Sequence, residues 1–173
     1  LTKYPGNQFV LSLNLSAKQF SSDNLLFLVE SALKRYNLPA KLIELEITEG
    51  TMITDPIQTA MTLNKLKKLG LNLAIDDFGT GYSSLSNIKD LPFDFLKIDR
   101  SFICKIEQED KNQALIESML SISKAFNMKT IAEGVETEHE LAILDKMGCE
   151  YVQGYYYSKP LTAKAFETWI EPS

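Results

Sequence analysis

Six short β-prone runs alternate along the chain with stretches of helical periodicity, and this alternation limits the fold more than any other feature. The runs lie at 9–16 (FVLSLNLS), 42–47, 71–75, 93–98, 128–132 and 151–153. Helical spacing of apolar residues recurs at 24–36, 56–69, 112–126, 138–147 and 162–170, with a short helical piece at 85–88. Ser21, Ser22 or Asp23 is placed to cap the first helix. Thr54 or Asp55 is placed to cap the second, with Pro56 at its first position. Gly70 and Gly148 stop helices. Strand–helix repetition of this kind predicts a parallel sheet covered by helices, with no linker and no low-complexity segment. The choice is between an open doubly wound sheet and a barrel. No glycine-rich phosphate fingerprint comes after the first strand, which weighs against the dinucleotide-binding sheet. Each strand instead ends on or near a polar residue: Asn14, Glu46, Asp76, Lys97, Glu133 and Gln153. In a barrel those ends converge on one rim, where barrel active sites lie.

The 173 residues suffice for one domain with a substantial core. The net charge of −5 and the lack of a basic run exclude a nucleic-acid polymer as partner. No apolar run is long enough to span a bilayer. Cys104 and Cys149 have no metal-ligand spacing and read as free thiols in a reducing compartment. The single histidine, His139, falls in the glutamate-rich ETEHEL segment on a solvated helix face. One histidine excludes a His-rich zinc site, so any metal must be held by oxygen ligands.

The stretch 71–85, LNLAIDDFGTGYSSL, carries the chemistry furthest. An apolar strand delivers adjacent Asp76 and Asp77 into a loop that Gly79 and Gly81 loosen. Like charges this close repel, and a divalent cation would remove the cost. The plainer reading is a polar turn in which Asp77 acts as a helix cap. Glu46, Asp76, Asp77 and Glu133, with the amides of Asn14 and Gln153, form a hard-oxygen set suited to Mg²⁺ or Mn²⁺. A bridging carboxylate such as Asp76 suits a two-metal site for phosphoryl hydrolysis. Lys97 would orient an attacking water or meet developing negative charge. Taken singly, each has a plainer role: Asn14 in a turn, Glu46 on a solvent-facing edge, Lys97 paired with Asp99 or snorkelling, and Glu133 opening a turn before Gly134.

At these residues the chain resembles the EAL domain of bacterial cyclic di-GMP phosphodiesterases. The matching stretches are FVLSLNLS, IELEITEG, LAIDDFGTGYSSL, FDFLKIDRSFI, KTIAEGVET and CEYVQGYYYSKPL, in the family's order and over nearly the whole chain. The resemblance implies an α/β, TIM-like (β/α) barrel that hydrolyses cyclic di-GMP to linear pGpG with two Mg²⁺ or Mn²⁺ ions. Carried over by position, Asn14, Glu46, Asp76, Asp77 and Glu133 are metal ligands, and Lys97, Glu133 and Asp77 are catalytic. Gln153 and Glu136 border the water shell. Glu49 braces a substrate or regulatory loop of Phe78, Gly79, Thr80, Gly81, Tyr82, Ser83 and Ser84. The resemblance further implies a homodimer through the segment near 85–91, an upstream sensory or GGDEF domain, and a cytoplasmic domain in a parent protein that is sometimes membrane-tethered.

The sequence departs from the family in one large respect: it holds no Glu-Ala-Leu segment. The expectation is a single EAL-type domain over 1–173, N-terminally truncated, with six of the eight strands. The alternative is a catalytically degenerate member that binds cyclic di-GMP or a protein.

Overall fold

The computed structural model describes residues 9–52, 55–80, 85–104, 106–107 and 110–170. Among these, six parallel strands form one sheet in the order β1-β2-β3-β4-β5-β6: Leu11–Asn14, Ile43–Thr48, Asn72–Phe78, Phe95–Ile98, Lys129–Glu133 and Tyr151–Gln153. The sheet curls into a half-barrel. The helices are α1 (Ala17–Phe20), α2 (Leu25–Tyr36), α3 (Pro56–Lys68), α4 (Leu85–Ile88), α5 (Arg100–Ile103), α6 (Asp110–Ala125), α7 (Glu138–Met147) and α8 (Ala163–Trp169), with 3₁₀ turns at Ala40–Leu42 and Glu49–Met52. Every strand pair is consecutive in sequence, as right-handed crossovers through helices require.

The local signals explain most boundaries. Asp55 caps α3 by accepting from the Gln58 amide at 3.0 Å, and Pro56 is its first residue. Thr137 and Glu140 form a reciprocal capping box on α7, and Gly148 ends it in the left-handed region. One expectation needs correction. The α2 cap is Asn24, whose side chain makes no capping bond, rather than Ser21, Ser22 or Asp23. Thr54 lies outside the described residues. Neither α1 nor α5 is visible in the periodicity, because four residues are too few to show a repeat.

The register separates two faces. Ile43, Leu45, Ile47, Leu73, Ile75, Leu96, Ile98 and Ala132 turn toward the helices and are buried with Leu63, Leu66, Ile103, Ile116 and Leu144. The concave face carries Ser12, Asn14, Glu44, Glu46, Asp76, Lys97 and Glu133, matched across the sheet by pairings such as Ser12 to Glu44 and Asn14 to Glu46. The plainer alternative, in which Glu46 alternates toward solvent, does not hold: Glu44 and Glu46 are both buried.

Among the described residues, β1 and β6 each pair on one side only. Near β1, Val10, Leu11 and Leu13 are exposed, as is Tyr151 at the start of β6. The last helix, α8, reaches part of this opening, since Phe166 meets Phe9 edge-on with ring centroids 5.6 Å apart. Among the described residues no helix is long and apolar enough to cross a membrane.

At the opposite end from the polar rim, Asp94 ties three elements together. It accepts from Lys67 Nζ at 2.7 and 2.8 Å and from the Leu73 amide at 2.8 Å. Its own carbonyl receives the Lys129 amide at 2.9 Å. Asp94→Ala strands the Leu73 amide and the lysine together, so it should lower unfolding free energy by about 2 kcal/mol. Lys67→Met leaves the amide bond intact and should cost under about 1 kcal/mol. Urea midpoints of the two variants check the ordering.

Candidate active site

Lys97 is the centre of the concave face. It stands on β4, is only 3% exposed, and reaches three carboxylates from three other strands. Its Nζ lies 2.6 Å from Glu133 Oε1 and 3.7 Å from Asp76 Oδ1, and it donates a short hydrogen bond to Glu46 Oε1. Asp99 takes no part: it caps α5 by accepting from the Ser101 amide at 3.0 Å. Asn14 completes the ring from β1. In the amide orientation that sets donor against acceptor, its nitrogen lies 3.3 Å from both Asp76 Oδ2 and Glu46 Oε2. The opposite orientation sets its oxygen among carboxylate oxygens, an arrangement that only a cation between them would favour.

A bulge gives β3 its two acids. Ile75 pairs with Leu96 and Phe78 with Ile98, so Asp76 and Asp77 together stand opposite Lys97. Asp77 takes φ 54°, in the left-handed region, which aspartate tolerates better than branched residues. Asp76 points inward and is buried, its Oδ1 accepting from the Asp77 amide at 3.0 Å, whereas Asp77 is exposed.

The electrostatics stem from burial. Desolvation alone would push the Lys97 ammonium down; its hydrogen bonds to Glu133 and Glu46 outweigh this and hold its pKa above the usual lysine value. Burial raises the Glu133 carboxyl despite its bond to Lys97. Burial, and then the charge of Asp76, raise Asp77. Glu44, one step deeper on β2, is also raised by burial, partly relieved by a 2.8 Å hydrogen bond from Ser12. Three carboxylates thus share one ammonium, and full ionisation leaves the cluster anionic.

The donor set fits a hard divalent cation in chemistry: carboxylate oxygens and one amide, with charge left to neutralise. In geometry the acids converge on Lys97, and among the described residues no group of three or more Asp, Glu, His or Cys stands ready around a metal position. The structure brings Asn14, Glu46, Asp76, Lys97 and Glu133 together. Glu49 is buried one layer out and accepts from the Gly79 amide at 3.3 Å, at the start of the loop assigned to it. Phe78 is buried, and Thr80 folds back on the Asp77 carbonyl. Gly81, Tyr82, Ser83 and Ser84 lie outside the described residues. Gln153 ends β6 beside Glu133 but is exposed, and its backbone carbonyl accepts from Val135. Glu136 points instead to Arg100, at 2.7 Å. Sequence reasoning misses Arg100 because it comes after a strand end inside a helix too short to recognise. It sees Glu44 only as half of an alternation.

Removing the ammonium should expose the imbalance. Lys97→Met leaves Glu46, Asp76 and Glu133 facing one another, and should cost about 3–5 kcal/mol at neutral pH. The loss should shrink as pH falls and Glu133, whose carboxyl burial raises, takes up a proton, and shrink again with millimolar Mg²⁺ or Mn²⁺. Thermal unfolding of the wild type and variant across pH, with and without metal, measures all three effects.

The EAL domain family model matches residues 1–160. The chain is 39% identical over 160 residues to the cyclic di-GMP phosphodiesterase NbdA of Pseudomonas aeruginosa, covering 92% of this chain and 20% of that protein. Curated relatives as a group are matched over about a fifth of their length. The solved PaMucR phosphodiesterase in complex with c-di-GMP superposes with TM-score 0.87 at 38% identity, over 91% of this chain and 64% of that one. A Klebsiella pneumoniae BlrP1 structure with manganese and cy-diGMP gives TM-score 0.81 at 30% identity, over 90% and 40%. Six parallel strands with an acidic rim, the family model's span and these superpositions agree: the chain belongs to the EAL domain family.

Proposed function

We propose that these residues form the larger part of a domain that hydrolyses cyclic di-GMP to linear pGpG in bacterial second-messenger signalling. The observation that carries this reading is the convergence of Asn14, Glu46, Asp76 and Glu133 on Lys97 at the C-terminal ends of parallel strands. Asn14, Glu46, Asp76, Asp77 and Glu133 would hold two Mg²⁺ or Mn²⁺ ions. Bound metal supplies a water of lowered pKa and neutralises charge on the phosphoryl oxygens. Lys97, held charged, orients the attacking water and faces the charge that builds on the phosphate. Glu133, its carboxyl raised by burial, accepts the water proton at an Oε atom as the new P–O bond forms; the ester P–O bond opposite breaks, and the departing sugar oxygen takes a proton from solvent to leave as a hydroxyl. Glu49 steadies the loop beyond Phe78 through the Gly79 amide, and Gln153 and Glu136 border the water shell. Self-association through the 85–91 segment and an upstream GGDEF or sensory domain belong to the same reading, as does a cytoplasmic location.

The one-sided strands β1 and β6 bear on activity. A closed barrel links strand number, tilt and shear, and six strands do not satisfy the eight-stranded set. The absent Glu-Ala-Leu segment would add one anionic ligand and an arginine for substrate phosphate, a contact worth roughly 1.5–3 kcal/mol.

Hydrolysis of cyclic di-GMP should therefore be near background for the 173 residues. Joining them to the part of the PaMucR domain that they do not match should restore it with Mg²⁺ or Mn²⁺. In the joined protein, Asp76→Asn should abolish turnover while leaving the unfolding midpoint within a few degrees. Wild-type turnover by folded Asp76→Asn would remove Asp76 from the metal site. Tight cyclic di-GMP binding without turnover in the joined wild type would support the degenerate, binding-only reading instead.

A further inference from the structure

We propose that Arg100 is a positioning residue: it fixes the turn Glu133-Gly134-Val135-Glu136 from the β4 side and thereby sets where Glu133 meets Lys97. Its kinetic consequence rests on the phosphodiesterase reading; the mechanical claim does not.

The segment that ends β4 grips the end of β5 twice. Lys97 holds Glu133, and Arg100, three residues on, holds Glu136, also three residues on. The second pair is exposed, with side-chain accessibilities of 58% and 40%, and as a surface ion pair would stabilise little. Packing makes it more than that. Gly134 has φ 73°, and a Cβ there would stand 2.7 Å from both Arg100 Cβ and Cδ. The arginine stem therefore lies directly on the turn backbone, in space that only glycine leaves open.

The turn is held equally closely from the other side. Val135 is fully buried; its amide donates to the Gln153 carbonyl at 3.1 Å, and its carbonyl accepts from Tyr156 at 3.0 Å. Any Cβ on Gly154 would collide with the Val135 peptide. The Glu136 amide donates to Glu140 Oε2 at 2.7 Å, which ties the turn to the α7 cap. Arg100 is the contribution from β4, and its own base is anchored because Asp99 caps α5 immediately before it. With the arginine gone, the turn keeps its β6 and α7 contacts and the Lys97 bond to Glu133, but loses the contact that covers Gly134 and holds Glu136.

The test uses amide exchange by NMR on the 173-residue chain with Arg100→Ala, Arg100→Lys and the reversal Arg100→Glu/Glu136→Arg. Protection of the Val135 and Glu136 amides should fall at least about tenfold in Arg100→Ala, with β2 and β3 amides unchanged. Arg100→Lys should recover part of it, and the reversal more. In the joined protein, Arg100→Ala should lower kcat by about 10–100-fold with KM for cyclic di-GMP unchanged. Unchanged protection at Val135 and Glu136 would overturn the proposal. Uniform loss across the sheet would also overturn it, since that marks a general stability role. If the joined wild type shows no turnover, the phosphodiesterase reading fails, and the exchange result still decides whether Arg100 holds the turn.

Discussion

One ammonium shared by three carboxylates sets the terms for the rest of the structure. Lys97 is almost without solvent, and each of its partners comes from a different strand. Burial of four charges is costly unless their geometry is mutually satisfying. The strands β2, β3, β4 and β5 must therefore arrive in one register, with their ends level, for the cluster to exist. The parallel sheet supplies that alignment, because every strand runs the same way and every crossover returns the chain to the same end. The residual negative charge of the cluster is what a divalent cation would complete.

The sheet divides its labour between faces. Parallel strands covered on both sides read as continuous apolar runs. Here β2 reads Ile-Glu-Leu-Glu-Ile-Thr, and both glutamates are buried. Its aliphatic residues meet the helices, while Glu44 and Glu46 line the concave side. The bulge at Asp76–Asp77 extends this division at the rim, because it sets two consecutive residues opposite one lysine, with Asp76 turned inward and Asp77 left exposed.

The architecture was legible because strand and helix periods alternate cleanly and because polar residues recur at strand ends. Caps with strong local chemistry, at Asp55 and Gly148, fell where the residues indicated, while the Thr137 cap of α7 went unread. Asn24 escaped because three equally good capping residues precede it, and the chain turns once more before the helix begins. The identity of the converging residues could be read one strand at a time. Their order around the ring could not, since it depends on distances across the barrel that no single segment encodes. Glu46 shows the limit: alternation placed it correctly opposite Ile47 but could not tell a solvent face from a polar interior. Arg100 shows another, because its role comes from the absence of a side chain at Gly134, a residue just past the end of a different strand.

The stability gradient has its origin in the same division. The Asp94 end is closed by hydrogen bonds that Lys67, Leu73 and Lys129 donate to Asp94. The opposite end carries Asp77 in the left-handed region, raised carboxyls at Glu133 and Asp77, and the loop that Glu49 meets at Gly79. Strain and unbalanced charge gather where the strands end, and satisfied hydrogen bonds gather where they begin. A raised carboxyl favours the fold while it is protonated, so this contribution fades as pH rises through the raised value. Cation binding would draw on the same ionised form, releasing protons and restoring at the rim the stability that ionisation removes. The rim is thus the part of the sheet whose stability a bound cation changes most, while the Asp94 end remains a fixed support.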